Sequence, residues 1–185
     1  MKTFDKPIFL IGYMGAGKTT LGQAVSKRLN IPFIDLDEFI ENQQGKTVSQ
    51  IFADDGEAMF RRLEKDAIEK IVGDNAASAV IVALGGGTPC QPGVMDLLNS
   101  CGITVYLTAP VPRLTERLVV GGDKRPLVAG KTPGQIAEFV HENLSRREPF
   151  YSLAKYKFDA SLLEDELQIE QSAQKFIKLI QPSCN

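Results

Sequence analysis

The stretch Gly12-Tyr13-Met14-Gly15-Ala16-Gly17-Lys18-Thr19 fills every fixed position of the G-x-x-x-x-G-K-[ST] pattern. It follows the apolar run Ile8-Phe9-Leu10-Ile11 and precedes a segment with helical periodicity, which is the context a phosphate-binding turn requires. Glycines let consecutive backbone N–H groups turn inward, so those of Gly15, Ala16 and Gly17 can cradle phosphate oxygens at the positive end of the following helix. Lys18 is then placed for the β- and γ-phosphates, the Thr19 hydroxyl for Mg²⁺, and Thr20 for a further contact near the α-phosphate. The competing reading is a ligand-free glycine turn. The pattern implies a nucleotide but no reaction, because switches, motors and small-molecule kinases share it.

Two carboxylates follow. Phe33-Ile34-Asp35-Leu36-Asp37 reads as a short strand with Asp35 and Asp37 at its carboxyl end, where open α/β sheets bind ligands. In an extended strand the two would share a face. Asp35 is the candidate to hold Mg²⁺ through water, and Asp37 the candidate base toward an acceptor hydroxyl; the alternative for Asp37 is a helix cap before Glu38. Arg61, one helical turn after Glu57, and Arg147, ahead of Pro149, are either exposed helix charges or a pair that binds a carboxylate through parallel hydrogen bonds. Arg125 lies in a glycine-flanked charged segment and suits contact with transferring phosphate oxygens.

The elements that must position these groups alternate between apolar runs and helical patterns, predicting an α/β fold of three layers, αβα, around a five-stranded parallel sheet. Strands are expected at 8–11, 33–37, 79–84, 103–107 and 157–159, with the β-branched run Ala79 to Leu84 placed centrally. Helices are expected at 18–29, 37–44, 48–54, 57–72, from Pro92, at 112–119, 133–147 and 166–180, with Pro149 ending the penultimate one. Residues 120–132 read as a mobile lid hinged on glycines. The triplet Gly85-Gly86-Gly87 implies that something approaches the backbone closely.

At 185 residues with a net charge of −2, the chain suits a single domain without a broad basic surface for nucleic acid. Its three cysteines show no C-x-x-C pattern, its one histidine cannot build a metal cluster, and no apolar run reaches membrane-span length. A cytoplasmic monomer is expected. A GTP-dependent switch would need N-K-x-D and D-x-x-G, yet there is no Asn-Lys pair and Ala53 stands where the second pattern needs aspartate before Gly56.

Taken in order, Gly12 to Thr20, Asp35-Leu36-Asp37, Phe52 through Asp55-Gly56-Glu57 to Phe60-Arg61-Arg62-Leu63-Glu64, Gly85-Gly86-Gly87, Arg125-Pro126-Leu127 and Arg147-Glu148-Pro149-Phe150-Tyr151 resemble the shikimate kinase family. That family lies within the nucleoside-monophosphate-kinase-like branch of P-loop proteins. The resemblance implies transfer of the ATP γ-phosphoryl group to the 3-hydroxyl of shikimate, with Mg²⁺ as cofactor. It implies Asp37 as the carboxylate on the shikimate hydroxyls, Arg61 and Arg147 on the shikimate carboxylate, and Gly86 and Gly87 beside the ring. Phe52 and Phe60 would wall the pocket, Asp35 and Thr19 serve Mg²⁺, and Lys18 and Arg125 stabilise phosphoryl charge. Family members often stack an early lid arginine on adenine. Here the stretch reads Leu118-Val119-Val120-Gly121-Gly122 and Arg117 is the nearest substitute, while no arginine stands near Asp159 to Leu163. The nearest rival reading is a related small-metabolite kinase, such as a gluconate kinase.

Overall fold

Ile8–Ile11 is buried along its whole length, as expected of a strand covered on both faces. In the computed structural model, which describes residues 4–75, 78–121 and 127–181, it is β1, the middle strand of a five-stranded parallel sheet of order β2-β3-β1-β4-β5. The others are β2 (Phe33–Asp35), β3 (Ile81–Ala83), β4 (Ile103–Thr108) and β5 (Tyr156–Asp159). Thus β3 is interior but not central, a correction to the sequence reading. The β-branched run marks burial on both faces, and β1 has the same burial.

The helices are α1 (Lys18–Leu29), α2 (Leu36–Gln44), α3 (Val48–Asp54), α4 (Gly56–Asp74), α5 (Val94–Cys101), α6 (Val111–Val120), α7 (Pro133–Tyr151) and α8 (Glu166–Ile180). The β1–α1–β2 crossover runs one way across the sheet, and the later crossovers run the other. Since such connections are right-handed, α1 lies on one face and α4, α5, α6 and α7 on the opposite one. In keeping with this, α1 packs on α8 and α6 packs on α7. The order reverses between β1 and β3, so their carboxyl ends open the crevice in which such sheets bind ligands. β1 feeds the phosphate-binding turn there, and β3 feeds the glycine triplet.

Local sequence explains most boundaries. Asn30 takes a left-handed conformation at the end of α1, as does Gly45 at the end of α2. Thr47 and Thr132 form capping boxes with Gln50 and Gln135 at the starts of α3 and α7. Strand β2 stops at Asp35, two residues earlier than expected, because Leu36 already begins α2. A short 3-10 turn, Thr88–Cys90, follows the glycines. Residues 122–126 of the expected lid, and with them Arg125, lie outside the described residues; 127–130 form a turn.

Pro149 does not end α7, which runs on to Tyr151. Proline near a helix end forfeits one N–H bond, here to the Ser145 carbonyl, and tertiary contacts override that loss. Tyr151 is fully buried, its ring 5.2 Å from that of Tyr106, and its hydroxyl donates to the Gly86 carbonyl at 2.6 Å. The Tyr106 hydroxyl in turn donates to Glu148. Local propensity and tertiary packing therefore conflict at this position. Pro149→Ala is expected to stabilise the fold by about 1–2 kcal/mol, read as a higher urea midpoint at unchanged slope. A lower midpoint would show that the proline's fixed backbone angle is itself required by the packing.

Candidate active site

The turn after β1 is built by sterics before any ligand is considered. Gly12 has φ +149°, and a Cβ there would stand 2.6 Å from the Leu107 carbonyl oxygen of β4, so no side chain fits. Gly17, left-handed at φ 89°, starts α1 without a side-chain cap, which leaves the first N–H groups of the helix directed into the turn. Lys18 Nζ folds over this loop and donates to the carbonyls of Gly12 at 2.8 Å and Tyr13 at 3.1 Å. The Thr19 hydroxyl donates to Asp35 Oδ2 at 3.1 Å, joining the turn to the end of β2.

The glycine triplet after β3 explains how charges converge on the same sheet end. A Cβ on Gly85 would lie 3.0–3.2 Å from Thr88 Oγ1, Glu64 Oε1 and Asp37 Oδ1. One on Gly86 would lie 3.2 Å from Arg147 Nη1, and one on Gly87 would lie 2.9 Å from both terminal nitrogens of Arg61. The glycines thus make room for charged groups from α2, α4 and α7: Asp37 and Glu64 at Gly85, Arg147 at Gly86 and Arg61 at Gly87. Arg61 and Arg147, 86 positions apart in sequence, meet adjacent residues of one loop.

Arg61 is held on both sides. Its Nε and Nη2 donate to Glu57 Oε1 at 3.1 and 2.9 Å, as the helical spacing predicts, and its Nη1 donates to Glu64 Oε2 at 2.8 Å. Glu64 has no solvent exposure at all. It also accepts from the Thr88 hydroxyl and from Gln91 Nε2, the latter at 2.7 Å, so both of its oxygens are satisfied. A buried carboxylate without such partners would be strongly destabilising. The sequence reading passed over Glu64, although a signal exists: it interrupts the apolar stripe Phe60, Ala67, Ile68, Ile71 on the buried face of α4.

The Asp35–Asp37 pair divides labour differently from either expectation. Asp35 is the cap of α2, its Oδ1 accepting from the Asp37 N–H at 3.2 Å, and Asp37 sits in the first helical turn rather than in a strand. The capping alternative for Asp37 is therefore not realised. Its Oδ1 is buried and has no hydrogen-bond partner among the described residues. Burial, reinforced by the charges of Asp35 and Glu64 and then Glu41, and opposed by Lys18, pushes its carboxyl up to about 6. Ionising it in the folded chain costs on the order of 2–3 kcal/mol relative to a solvated aspartate. Because the folded value is raised, the folded chain binds the extra proton between about 3.8 and about 6. Stability falls as pH rises through that window, and the cost is complete above it.

A continuous cleft of about 1090 Å³ runs along these elements. Lys18, Thr19, Asp35, Asp37, Phe52 and Gly86 line it, with Arg117 and Leu163 at the far side of the phosphate turn. Gly15, Gly17 and Thr20 also face it, while Ala16 is buried beneath. Phe60, expected as a wall, is 4% exposed and backs Phe52 instead, their rings 4.7 Å apart. Arg61, Gly87 and Arg147 do not themselves line it: Arg147 packs on Gly86, which does, and Arg61 packs on the neighbouring Gly87. Arg117 is fixed rather than free: it donates to the carbonyls of Gly15, Ala160 and Ser161 and to Glu164 at 2.8–3.2 Å. Among the described residues no cluster of three or more His, Cys, Asp or Glu could hold a metal ion. The Thr19 and Asp35 oxygens, already neighbours, are the hard oxygen donors that would suit Mg²⁺.

Comparison with known proteins identifies the family and the fold. The sequence profile described as shikimate kinase matches residues 14–181. A shikimate kinase of Phocaeicola vulgatus is 46% identical over 92% of this chain and 96% of its own length. The crystal structure of the Bacteroides thetaiotaomicron shikimate kinase superposes with a TM-score of 0.90 at 42% identity, covering 96% of this chain and 99% of that one. The shikimate kinase of Acinetobacter baumannii, solved in complex with shikimate, gives a TM-score of 0.80 at 32% identity, covering 96% of this chain and 94% of that one. The fold is thus that of solved shikimate kinases, and the chain belongs to the shikimate kinase family.

Proposed function

We propose that this chain transfers the γ-phosphoryl group of ATP to the 3-hydroxyl of shikimate, giving 3-phosphoshikimate and ADP. The observation that carries the reading is the seating of Arg61 and Arg147 on Gly87 and Gly86, at the sheet end that also holds Asp37 and the phosphate turn. Two guanidinium groups suit a carboxylate, and a nearby unpaired carboxylate suits a hydroxyl. In this reading Arg61 and Arg147 grip the shikimate carboxylate and the ring lies against Gly86 and Gly87 under Phe52. Phe60 supports that wall from behind.

Asp37 hydrogen-bonds the acceptor hydroxyl and takes its proton as the oxygen attacks the γ-phosphorus; the bond from that phosphorus to the bridging oxygen of ADP breaks. With its carboxyl near 6, Asp37 is mostly ionised at neutral pH yet more basic than a solvated aspartate. On the nucleotide side, Lys18 leaves the carbonyls of Gly12 and Tyr13 for the β- and γ-phosphates. The N–H groups from Gly15 to Thr20 cradle the phosphates, and Arg125, from the lid at residues 120–132, meets the transferring group. Thr19 and Asp35 hold Mg²⁺, which when bound neutralises charge on the β- and γ-phosphate oxygens. Arg117, braced by Glu164 and lining the cleft together with Leu163, contacts adenine in place of an early lid arginine. We read the chain as a cytoplasmic monomer of one domain; among its described residues no helix is long and apolar enough to cross a membrane.

ADP release, followed by a coupled assay with ATP and Mg²⁺, is expected with shikimate and not with gluconate or AMP; equal rates with all three would reject the acceptor assignment. Asp37→Asn is expected to lose about 100-fold or more in kcat while ATP still binds. Because the same change removes a buried charge, it should also raise Tm at pH 8 by about 3–8 °C. Near-normal turnover would remove the base role, and an unchanged Tm would contradict the electrostatic reading of the site. Arg61→Lys keeps a positive charge but loses the fork, and is expected to raise the shikimate KM about tenfold or more with the ATP KM little changed.

A further inference from the structure

Arg61 and Arg147 are held by opposite means. Arg61 is clamped by two carboxylates, whereas among the described residues no carboxylate pairs with Arg147. Its guanidinium lies instead over the ring of Tyr13, 5.4 Å from the centroid, within the range of cation–π attraction. Tyr13 belongs to the phosphate-binding turn and is 1% exposed. Gly86 packs beside this stack: a Cβ there would stand 3.2 Å from Arg147 Nη1 and 3.6 Å from both the Gly12 carbonyl oxygen and the Met14 nitrogen, the backbone on either side of Tyr13. The Tyr151 hydroxyl, which donates to the Gly86 carbonyl, also accepts a hydrogen bond from Arg147 and so ties it to the same loop.

We propose that Tyr13 is a positioning residue for the acceptor: its ring is the platform that orients Arg147 toward the incoming carboxylate without neutralising it. A carboxylate partner would orient the guanidinium equally well but would compete with the substrate for its charge; an aromatic face does not. The ring and not the hydroxyl is what the fold uses, because the Tyr13 hydroxyl is buried with no hydrogen-bond partner among the described residues. The same residue's carbonyl accepts from Lys18, so the platform under the acceptor site and the lysine of the nucleotide site share one residue. This inference rests on the reading of Arg147 as a carboxylate ligand, which Arg147→Ala tests separately through the shikimate KM.

Steady-state kinetics over both substrates provide the test. Tyr13→Phe should retain the wild-type shikimate KM. Tyr13→Leu should raise it about 3- to 10-fold, with kcat and the ATP KM within about twofold, and should add nothing further in an Arg147→Ala background. Pentafluorophenylalanine at position 13 keeps the ring's shape and reverses the charge of its face. It should reproduce the rise in KM, and it carries the test alone if Tyr13→Leu does not fold. A fluorinated ring with unchanged shikimate KM overturns the proposal, as does a Leu effect that persists without Arg147 or moves the ATP KM as much. If Arg147→Ala itself leaves the shikimate KM unchanged, the carboxylate assignment falls first and this inference with it.

Discussion

The absence of side chains at Gly85, Gly86 and Gly87 is the constraint on which the site depends. Parallel strands end at a fixed height, and the groups that act there must come in from helices on the sheet's flanks. Three consecutive residues without a Cβ let Asp37 of α2, Arg61 of α4 and Arg147 of α7 approach one short loop to near contact. Any side chain on that loop would push one of them away, and with it the geometry shared by the acceptor and the phosphate turn. The turn after β1 obeys the same rule, because Gly12 leaves no space between itself and β4.

The two buried carboxylates beside this loop illustrate opposite solutions to one electrostatic problem. Glu64 has no access to water, yet Arg61, Thr88 and Gln91 satisfy it, so its charge is structural and its effect is to immobilise Arg61. Asp37 has one oxygen without a partner and a raised carboxyl pKa, so its charge is costly and chemically available. Folded proteins keep such groups where function requires them and offset the cost elsewhere. The pairing of a satisfied anion with an unsatisfied one, both touching Gly85, separates the supporting role from the reactive one.

Much of this was legible in the sequence because it is local. The phosphate-binding pattern, the apolar runs of β1 and β4, and the periodicity of α1 and α8 depend on neighbours a few residues away, and their limits matched the structure within a residue. What the sequence concealed is what distant segments decide. Asp35 rather than Asp37 caps α2, since β2 ends as soon as the chain can turn into a helix. Pro149 is carried inside α7 because Tyr151 must reach Gly86. Phe60 backs the wall that Phe52 forms, and Arg117 is tied to three carbonyls of remote loops. Glu64 and Tyr13 were missed for a related reason: each acts through a partner arginine, and no local spacing announces that partnership for Tyr13.

A crystal structure with shikimate and a non-hydrolysable ATP analogue tests the central claim most directly. The account predicts the shikimate carboxylate between the guanidinium groups of Arg61 and Arg147, the 3-hydroxyl within hydrogen-bond distance of Asp37, and the terminal phosphate facing it from the turn at Lys18. An acceptor bound elsewhere in the cleft, with Arg61 and Arg147 making no contact to its carboxylate, would contradict it.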